Sequence, residues 1–171
     1  LALAQAAGAI TVLDAAQAVA HQLAHNDKDY FDFGALLRAQ SPAAVLTVAR
    51  GSSDHAAHFL AYLVMARMGR LVTSLPMSLI TLYQSQIACK GLVSMAFSQS
   101  GQSPDLVAPT RFFSEGGAMT AAFVNKEDSP LAQATQWVFP LHAGTEASVA
   151  ATKSYIAQLV AGARVVAAWQ D

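Results

Sequence analysis

The chain has 171 residues, of which 54% are apolar and only 12% are charged, and its formal net charge is −1. This length fits one domain with a sizeable core, and a near-neutral charge argues against a nucleic-acid partner, which normally requires a basic patch. No run of about 18 apolar residues occurs, so we expect no membrane span.

Apolar residues at intervals of three to four predict a helix over residues 11–26 and a shorter one over 29–39. Pro42 ends this part, so we expect an N-terminal helical segment over residues 1–40 and the main domain over 41–171. Short apolar runs, typical of buried strands, then alternate with helical stretches. The strands are predicted at 44–49, 70–75, 91–97, 118–124 and 136–141, and the helices at 54–68, 78–89, 104–115, 129–134 and 146–169.

This alternation predicts an α/β fold, an open doubly wound sheet of five parallel strands with helices on both faces. Each strand is a nearly continuous apolar run, as expected for a strand that is covered on both sides. One residue opposes the pattern, because Pro109 lies inside a predicted helix, where proline costs about 3 kcal/mol. We therefore expect a kink or a late start in that helix.

Two loops rich in small hydroxyl side chains follow predicted strands directly. "RGSSDH" (50–55) follows the first strand, and "SQSGQSPD" (98–105) follows the third. Ligands of open α/β sheets bind beyond the carboxyl ends of the strands, where the unpaired N–H groups of the next helix attract an anion. Serine hydroxyls add donors, and Gly51 and Gly101 allow close approach to the backbone. The loops predict a phosphate site; the alternative is that their serines, such as Ser103, only cap helices.

Other kinds of site have little support. No lysine follows Gly101 as in a nucleotide P-loop, and no G-x-G-x-x-G dinucleotide fingerprint occurs. We expect no cofactor, because no nicotinamide, flavin or metal motif is present. His21 and His25 have a spacing that can bind metal, but the sequence suggests no third ligand, so no metal site is expected.

Two residues at the start of the helix after the first serine loop leave different interpretations open. Asp54 would repel a phosphate if it pointed inward, so we interpret it as a helix-start residue that is directed away. His55 faces either the pocket or the outer surface of the helix, where it would contact solvent or another subunit.

The cellular setting follows from the cysteine content and the chain start. The single cysteine, Cys89, excludes an intramolecular disulfide and fits a reducing compartment, so we expect a cytoplasmic protein in which Cys89 is a small buried apolar residue. The first segment lacks the basic start of a signal peptide. Because the chain begins at Leu1 rather than Met, we expect it to be part of a longer polypeptide. The low charge content indicates that part of its surface is covered by another copy or domain.

Three stretches resemble the signatures of the sugar isomerase (SIS) domain family. They are "ARGSSDHA" (49–56), "FSQSGQSPDLV" (97–107) and "EASVAATKSY" (146–155). Their order and spacing are similar to those of the isomerase half of glutamine–fructose-6-phosphate aminotransferase and of stand-alone relatives that deaminate or isomerise glucosamine 6-phosphate. The resemblance covers residues 40–168 and implies a flavodoxin-like sandwich of three layers.

The resemblance also implies the roles of individual residues around a hexose 6-phosphate. Gly51 and Gly101 would allow close approach of the backbone, and Glu146 is the carboxylate considered for proton transfer. Lys153 is interpreted as a structural contact under the site, and family members commonly have serine where this chain has Ala151. The residues implied to hold the phosphate and sugar are Ser52, Ser53, Ser98, Gln99, Ser100, Ser103, Val149 and Ala151.

The implied activity is that of a cofactor-independent aldose–ketose isomerase or amino-sugar-phosphate deaminase, acting on glucosamine 6-phosphate or fructose 6-phosphate. In the resembling enzymes two SIS domains occur in tandem, and most catalytic side chains come from the second. We therefore expect this segment to be the first of two, in a homodimer or paired with a second SIS domain. The alternative is a non-catalytic sensor of sugar phosphates that regulates a partner. A sensor usually carries a helix-turn-helix region first, which residues 1–40 do not resemble.

Overall fold

The computed structural model describes residues 15–146 and 151–171. Its five strands form one sheet that is parallel throughout, in the order β2-β1-β3-β4-β5, the order of flavodoxin-like doubly wound sheets. The predicted α/β fold is confirmed, and every predicted strand agrees with the structure to within one residue at either end. The strands are β1 (Ala44–Val48), β2 (Leu71–Ser74), β3 (Leu92–Ser98), β4 (Met119–Val124) and β5 (Trp137–Pro140).

Seven helical segments surround the sheet in the described part of the chain. Helix α1 covers residues 15–23, from the start of the described chain. The others are α2 (Asp27–Gln40), α3 (Ser52–Met68), α4 (Ser78–Thr81), α5 (Pro104–Glu115), α6 (Pro130–Gln133) and α7 (Thr152–Gln170). Helix α3 starts two residues earlier than predicted, so Ser52 and Ser53 are its first two residues.

Two expectations for helices are wrong, and of the kink or late start expected in α5 the late start does not occur. The helix predicted over 78–89 ends at Thr81, and Gln84 then takes a left-handed φ of 50°, which a right-handed helix cannot contain. The last helix begins at Thr152, so Glu146 precedes it. Helix α5 does not start late, because it begins at Pro104 and runs through Pro109. Pro109 is a buried residue of α5, and the burial of its ring is a favourable contribution that opposes the cost of the missing N–H donor.

Two apolar layers cover the sheet, one on each face. Side chains from α2, α3 and α7 form the larger layer, in which Phe33, Leu60 and Val165 are fully buried. Side chains from α5, α6 and the segment after β2 form the second layer, which includes Phe113 and Leu131. Alternate strand residues point to opposite layers, as the strand period requires. Helix α2 therefore shares the core of the sheet, although it precedes the first strand.

A row of phenylalanines crosses the carboxyl ends of three strands. Phe97, Phe123 and Phe139 are register partners on β3, β4 and β5, and all three are fully buried. The ring centroids of Phe97 and Phe123 are 4.4 Å apart, and those of Phe123 and Phe139 are 5.1 Å apart. Stacked aromatic rings at these distances stabilise each other beyond their area burial. The row gives the loops after these strands a rigid base.

Cys89 packs against the second apolar layer with 5% of its surface exposed, as expected of a small buried apolar residue. Burial raises the pKa of its thiol, so the nucleophilic thiolate form is disfavoured. No helix in the described ranges has the length and apolar character needed to cross a membrane.

Candidate functional site

The first serine loop turns directly from β1 into α3 at Gly51. This residue has φ 58° and ψ −135°, a conformation that is essentially restricted to glycine. Ser52 is exposed at the first turn of α3, whereas Ser53 is buried. The Ser53 hydroxyl accepts a hydrogen bond of 3.0 Å from Nε2 of Gln158, so the loop is tied to α7 from inside. A hydroxyl that accepts one hydrogen bond can still donate its own proton.

The second serine loop is shaped by hydrogen bonds to its own serines. Ser98 Oγ accepts from the backbone N–H of Gly101 at 3.0 Å, and Ser100 Oγ accepts from Gln102 N–H at 3.4 Å. Gly101 has φ 64° and its carbonyl accepts from Leu131 N–H at 3.1 Å. The loop therefore curls back over the start of α6 and keeps the hydroxyls of Ser98 and Ser100 at the carboxyl end of β3.

Ser103 stands at the N-cap position of α5, but its side chain makes no capping hydrogen bond. Ser129 provides the contrast, because it caps α6 by accepting from Ala132 N–H at 3.3 Å. If the serines of the second loop only capped a helix, Ser103 would bond in the way that Ser129 does. Its hydroxyl, which has no capping bond among the described residues, instead lies beside the positive end of the α5 dipole, where an anion is stabilised.

The two loops follow neighbouring strands at the point where the order of the sheet reverses. β1 pairs with β3, and the chain leaves β1 toward β2 but leaves β3 toward β4. Doubly wound proteins bind their ligands at this switch point. An ion pair between Arg50 of the first serine loop and Asp105 of α5 links the first serine loop to the helix that follows the second. Arg50 lies within the first motif, but no local pattern indicates that it pairs with Asp105, 55 residues away.

A cleft of about 580 Å³ lies beyond the ends of β3, β4 and β5, within the usual range for small-molecule sites. Of the predicted site residues, Gln99 and Glu146 line it, whereas the serines of the two loops are not among its described lining residues. The described lining residues are His21, Gln99, Asn125, Lys126, His142, Gly144, Thr145 and Glu146.

A model of the SIS domain matches residues 39–168. The chain belongs to the SIS domain family. Glutamine–fructose-6-phosphate aminotransferase of Sulfolobus acidocaldarius is 35% identical over 121 residues, which are 71% of this chain and 20% of that enzyme. The same enzyme of Zymomonas mobilis is 32% identical over 138 residues, 81% of this chain and 21% of that enzyme. The SIS domain described here thus spans about a fifth of the curated relatives that it matches.

Solved structures share the fold of this SIS domain. A Silicibacter pomeroyi protein, provisionally described as a phosphosugar isomerase, is 40% identical with a TM-score of 0.87; the match covers 90% of this chain and 47% of that one. The Vibrio vulnificus NanR protein, solved with ManNAc-6P, is 16% identical with a TM-score of 0.79, over 94% of this chain and 60% of that one. The prediction of an SIS domain is thereby confirmed.

Glu146 of the SIS domain is held at one oxygen by the start of α7. Its Oε2 accepts from the backbone N–H and from the hydroxyl of Ser154, both at 3.1 Å. Its Oε1 is buried and has no hydrogen-bond partner among the described residues. Lys153 donates to the carbonyl of Thr145, a lining residue of the cleft, at 2.8 Å. The helix predicted over 146–169 would place Glu146 and Lys153 on one helix face, but Glu146 precedes α7, so they do not share one.

The remaining predicted residues fall into three cases. Asp54 lies 3.4 Å from the Ser74 hydroxyl at the end of β2 and 3.6 Å from His58 Nδ1, so it is directed along α3 and toward β2. His55 is exposed on α3. Ala151 occupies the N-cap position of α7, and Val149 lies outside the described residues.

Sequence reasoning missed several residues that line the cleft, among them Asn125, Lys126 and His142. Each of these three follows the end of β4 or β5, as the serine loops follow β1 and β3. The signal was present, because Asn125 and Lys126 stand directly after β4 and His142 stands two residues after the end of β5. Asn125 holds the loop after β5 by two hydrogen bonds. Its Oδ1 accepts from Ala143 N–H at 2.9 Å, and its Nδ2 donates to the Gly144 carbonyl at 2.6 Å.

Proposed function

We propose that this SIS domain binds a hexose 6-phosphate and holds its phosphate between the two serine loops. The observation that carries the proposal is the hydroxyl of Ser103, which makes no capping bond at the N-terminus of α5, beside the loop that contains Ser98 and Ser100. Gly51 and Gly101 let the phosphate approach backbone N–H groups. The residues proposed to hold the phosphate and the sugar are Ser52, Ser53, Ser98, Gln99, Ser100, Ser103, Val149 and Ala151.

The names of the relatives support a sugar phosphate as the ligand. The curated relatives are aminotransferases named for fructose 6-phosphate, and the NanR protein was solved with ManNAc-6P. Both ligands are six-carbon sugars with a phosphate at C6. We propose glucosamine 6-phosphate or fructose 6-phosphate as the ligand of this domain.

The proposed reaction is isomerisation or deamination of an amino-sugar phosphate by proton transfer in the cytoplasm, without a cofactor. Such a reaction needs an acid and a base. Glu146 is the only carboxylate among the described lining residues of the cleft, and one of its oxygens already accepts two hydrogen bonds from Ser154. We infer that further acid–base groups come from a second SIS domain, since the domain spans about a fifth of its curated relatives.

The full-length protein is expected to release ammonia from glucosamine 6-phosphate or to interconvert fructose 6-phosphate and glucose 6-phosphate, with or without a chelator. The 171-residue segment is expected to bind these sugars but to turn them over poorly. Two assays and one calorimetric titration test this. If the full-length protein binds the sugar phosphate but shows neither activity, the domain is a sensor rather than an enzyme. If it does not bind, the proposal is wrong.

Replacing Ser100 or Ser103 with alanine is expected to raise the Kd for a hexose 6-phosphate. The loss of a hydrogen bond to a charged group costs about 1–3 kcal/mol, or roughly 5-fold to 150-fold in Kd. Isothermal titration of the full-length protein measures this. Ser114→Ala, at the opposite end of α5, serves as the control. Wild-type affinity in both loop variants would contradict the assignment.

We further propose that an apolar patch on α3 and β2 is covered by a second copy of the chain or by a second SIS domain. Phe59, Tyr62, Met65 and Leu71 expose between 40% and 75% of their surface there. Patches of this kind mark protein contacts. Sedimentation of the full-length protein should show a dimer that Tyr62→Lys weakens. Leu82→Lys, at an equally exposed apolar position outside the patch, should leave the dimer intact. The proposal would be contradicted if the wild-type protein is a monomer and Tyr62→Lys does not change its stability.

A further inference from the structure

Three histidines from two separate parts of the chain meet at the edge of the cleft. His21 lies in α1, His25 follows it, and His142 comes after β5. The ring centroid of His142 is 5.2 Å from those of His21 and His25, which are 4.2 Å apart. His21 and His142 both line the cleft. No group of His, Cys, Asp or Glu in the described ranges is arranged to hold a metal ion, so metal ligation does not account for the cluster.

The hydrogen bonds around His142 determine which ring nitrogen carries the proton. Asn26 Nδ2 donates to Asp29 Oδ2 at 3.1 Å, and because a carboxylate only accepts, the opposite side of the Asn26 amide is its oxygen. This oxygen lies 2.7 Å from Nε2 of His142, so Nε2 must carry the proton and donate. Burial, and next the neighbouring His21, lower the pKa of His142 below its usual 6.5. The ring is therefore neutral at pH 7, and the lone pair of its Nδ1 has no hydrogen-bond partner among the described residues.

The backbone holds this arrangement in an uncommon conformation. Asn26 and His142 have φ of 62° and 52°, and they are two of the four non-glycine residues with positive φ in the described chain. Residues other than glycine keep this conformation where surrounding contacts impose it, and such positions concentrate at functional sites. Here the contacts are the Asn26–His142 hydrogen bond itself and the two bonds of Asn125 to the residues after His142.

We propose that Nδ1 of His142 accepts a hydrogen bond from a hydroxyl of the sugar, and that Asn26 is the residue that positions the ring. This inference rests on the proposed function and adds a sugar contact to the phosphate contacts of the serine loops. An imidazole lone pair recognises a donor. The hydroxyls of a sugar are donors, whereas the dianion of a phosphate monoester offers only acceptors, so His142 discriminates for the sugar part of the ligand.

Several charged or titratable groups surround His142 and set its protonation. His21, His25 and Arg164 on α7 lower its pKa, and Glu127 after β4 raises it. Lys126 and Glu146 line the same cleft, and Lys153 lines a smaller cavity on which His142 also borders. Protonation converts Nδ1 from an acceptor to a donor. Affinity for the sugar phosphate is therefore expected to fall as the pH falls through the lowered pKa of His142. This loss should be larger than any loss of affinity for a phosphate that carries no sugar.

The test compares two ligands of the full-length protein by calorimetry: glucitol 6-phosphate, which cannot be isomerised, and methyl phosphate, which has no hydroxyl. His142→Gln retains an N–H that can donate to Asn26 but removes the acceptor at Nδ1. Its Kd for glucitol 6-phosphate should rise about fivefold to tenfold, with the Kd for methyl phosphate unchanged. Asn26→Gly, which suits the positive φ, should weaken glucitol 6-phosphate binding in the same direction. His58→Gln on the exposed surface of α3 should change neither Kd.

Nitrogen NMR of the wild-type imidazoles gives a second readout, in which His142 should carry its proton on Nε2. A proton on Nδ1, or equal affinity of His142→Gln and wild type for glucitol 6-phosphate, overturns the inference. A loss of both ligands by His142→Gln also overturns it, because that result indicates damage to the phosphate site. A wild-type protein that binds neither ligand overturns the proposed function, and this inference with it.

Discussion

The Gly101→Ala variant is expected to lose about 2–4 kcal/mol of its free energy of unfolding and much of its affinity for hexose 6-phosphate. Gly101 has φ 64°, which costs an L-residue about 1 kcal/mol or more. An added Cβ would also lie 2.6 Å from Cβ of Ser129 and closer still to its hydroxyl. Such overpacking typically costs about 1–3 kcal/mol. The loop cannot relax freely, because it is bonded to Ser98 on one side and to Leu131 on the other.

Gly69→Ala separates the backbone cost of a positive φ from the steric cost of the contact with Ser129. Gly69 has nearly the same φ, 60°, but a Cβ there has no heavy atom within 4 Å, so only the backbone cost applies. Urea unfolding of both variants should show a clearly larger loss for Gly101→Ala. Adding Ser129→Gly should recover part of that loss, although it removes the side-chain cap of α6, because glycine at an N-cap costs only about 0.3 kcal/mol. Equal losses for the two alanine variants would mean that Ser129 does not restrict the second serine loop.

Strands β1, β3 and β4 were predictable because each is an apolar run that is covered on both faces. Strand β2 is largely exposed, and only its apolar and β-branched residues indicated a strand. The position of the serine loops followed from the same runs, since a parallel sheet brings the carboxyl ends of its strands to one edge. The boundaries of helices depended on single residues that local periodicity does not reveal. The left-handed conformation of Gln84 is incompatible with the helix predicted there. Pro109 lies inside α5, where it is buried.

The links between distant parts of the chain were not predictable from the sequence. Ser53 and Gln158 are 105 residues apart, and Asn26 and His142 are 116 apart, yet each pair forms a hydrogen bond. These pairs depend on how α7 and α1 pack beside the sheet, and no local sequence pattern around either residue predicts its partner. The spacing of His21 and His25 indicated that both lie on one helix face, but the third ring of the cluster belongs to His142, in the loop after β5.

Gly34→Ala is expected to cost roughly 3 kcal/mol or more in the free energy of unfolding, because it forces two packed helices apart. Gly34 lies in α2, where an added Cβ would be 2.9 Å from Cβ of Ala168 on α7 and closer still to the carbonyl group of that residue. A backbone carbonyl cannot rotate aside as a flexible side chain can. Arg38, one turn further along α2, donates to the same carbonyl, so separation of the helices would weaken that hydrogen bond as well.

Gly162→Ala on α7 is the matched control for Gly34→Ala. A Cβ there would lie 3.4 Å from Cβ of Leu60, an ordinary contact, and alanine gains up to about 1 kcal/mol of helix propensity over glycine. Urea unfolding followed by the fluorescence of buried Trp169 should therefore show Gly162→Ala near or above wild type and Gly34→Ala far below it. At low temperature, where Gly34→Ala is still folded, it should keep its affinity for hexose 6-phosphate, because the serine loops follow β1 and β3 rather than α2. Gly101→Ala should lose that affinity under the same conditions, and a result in which both variants lose it equally would contradict the placement of the phosphate in the serine loops.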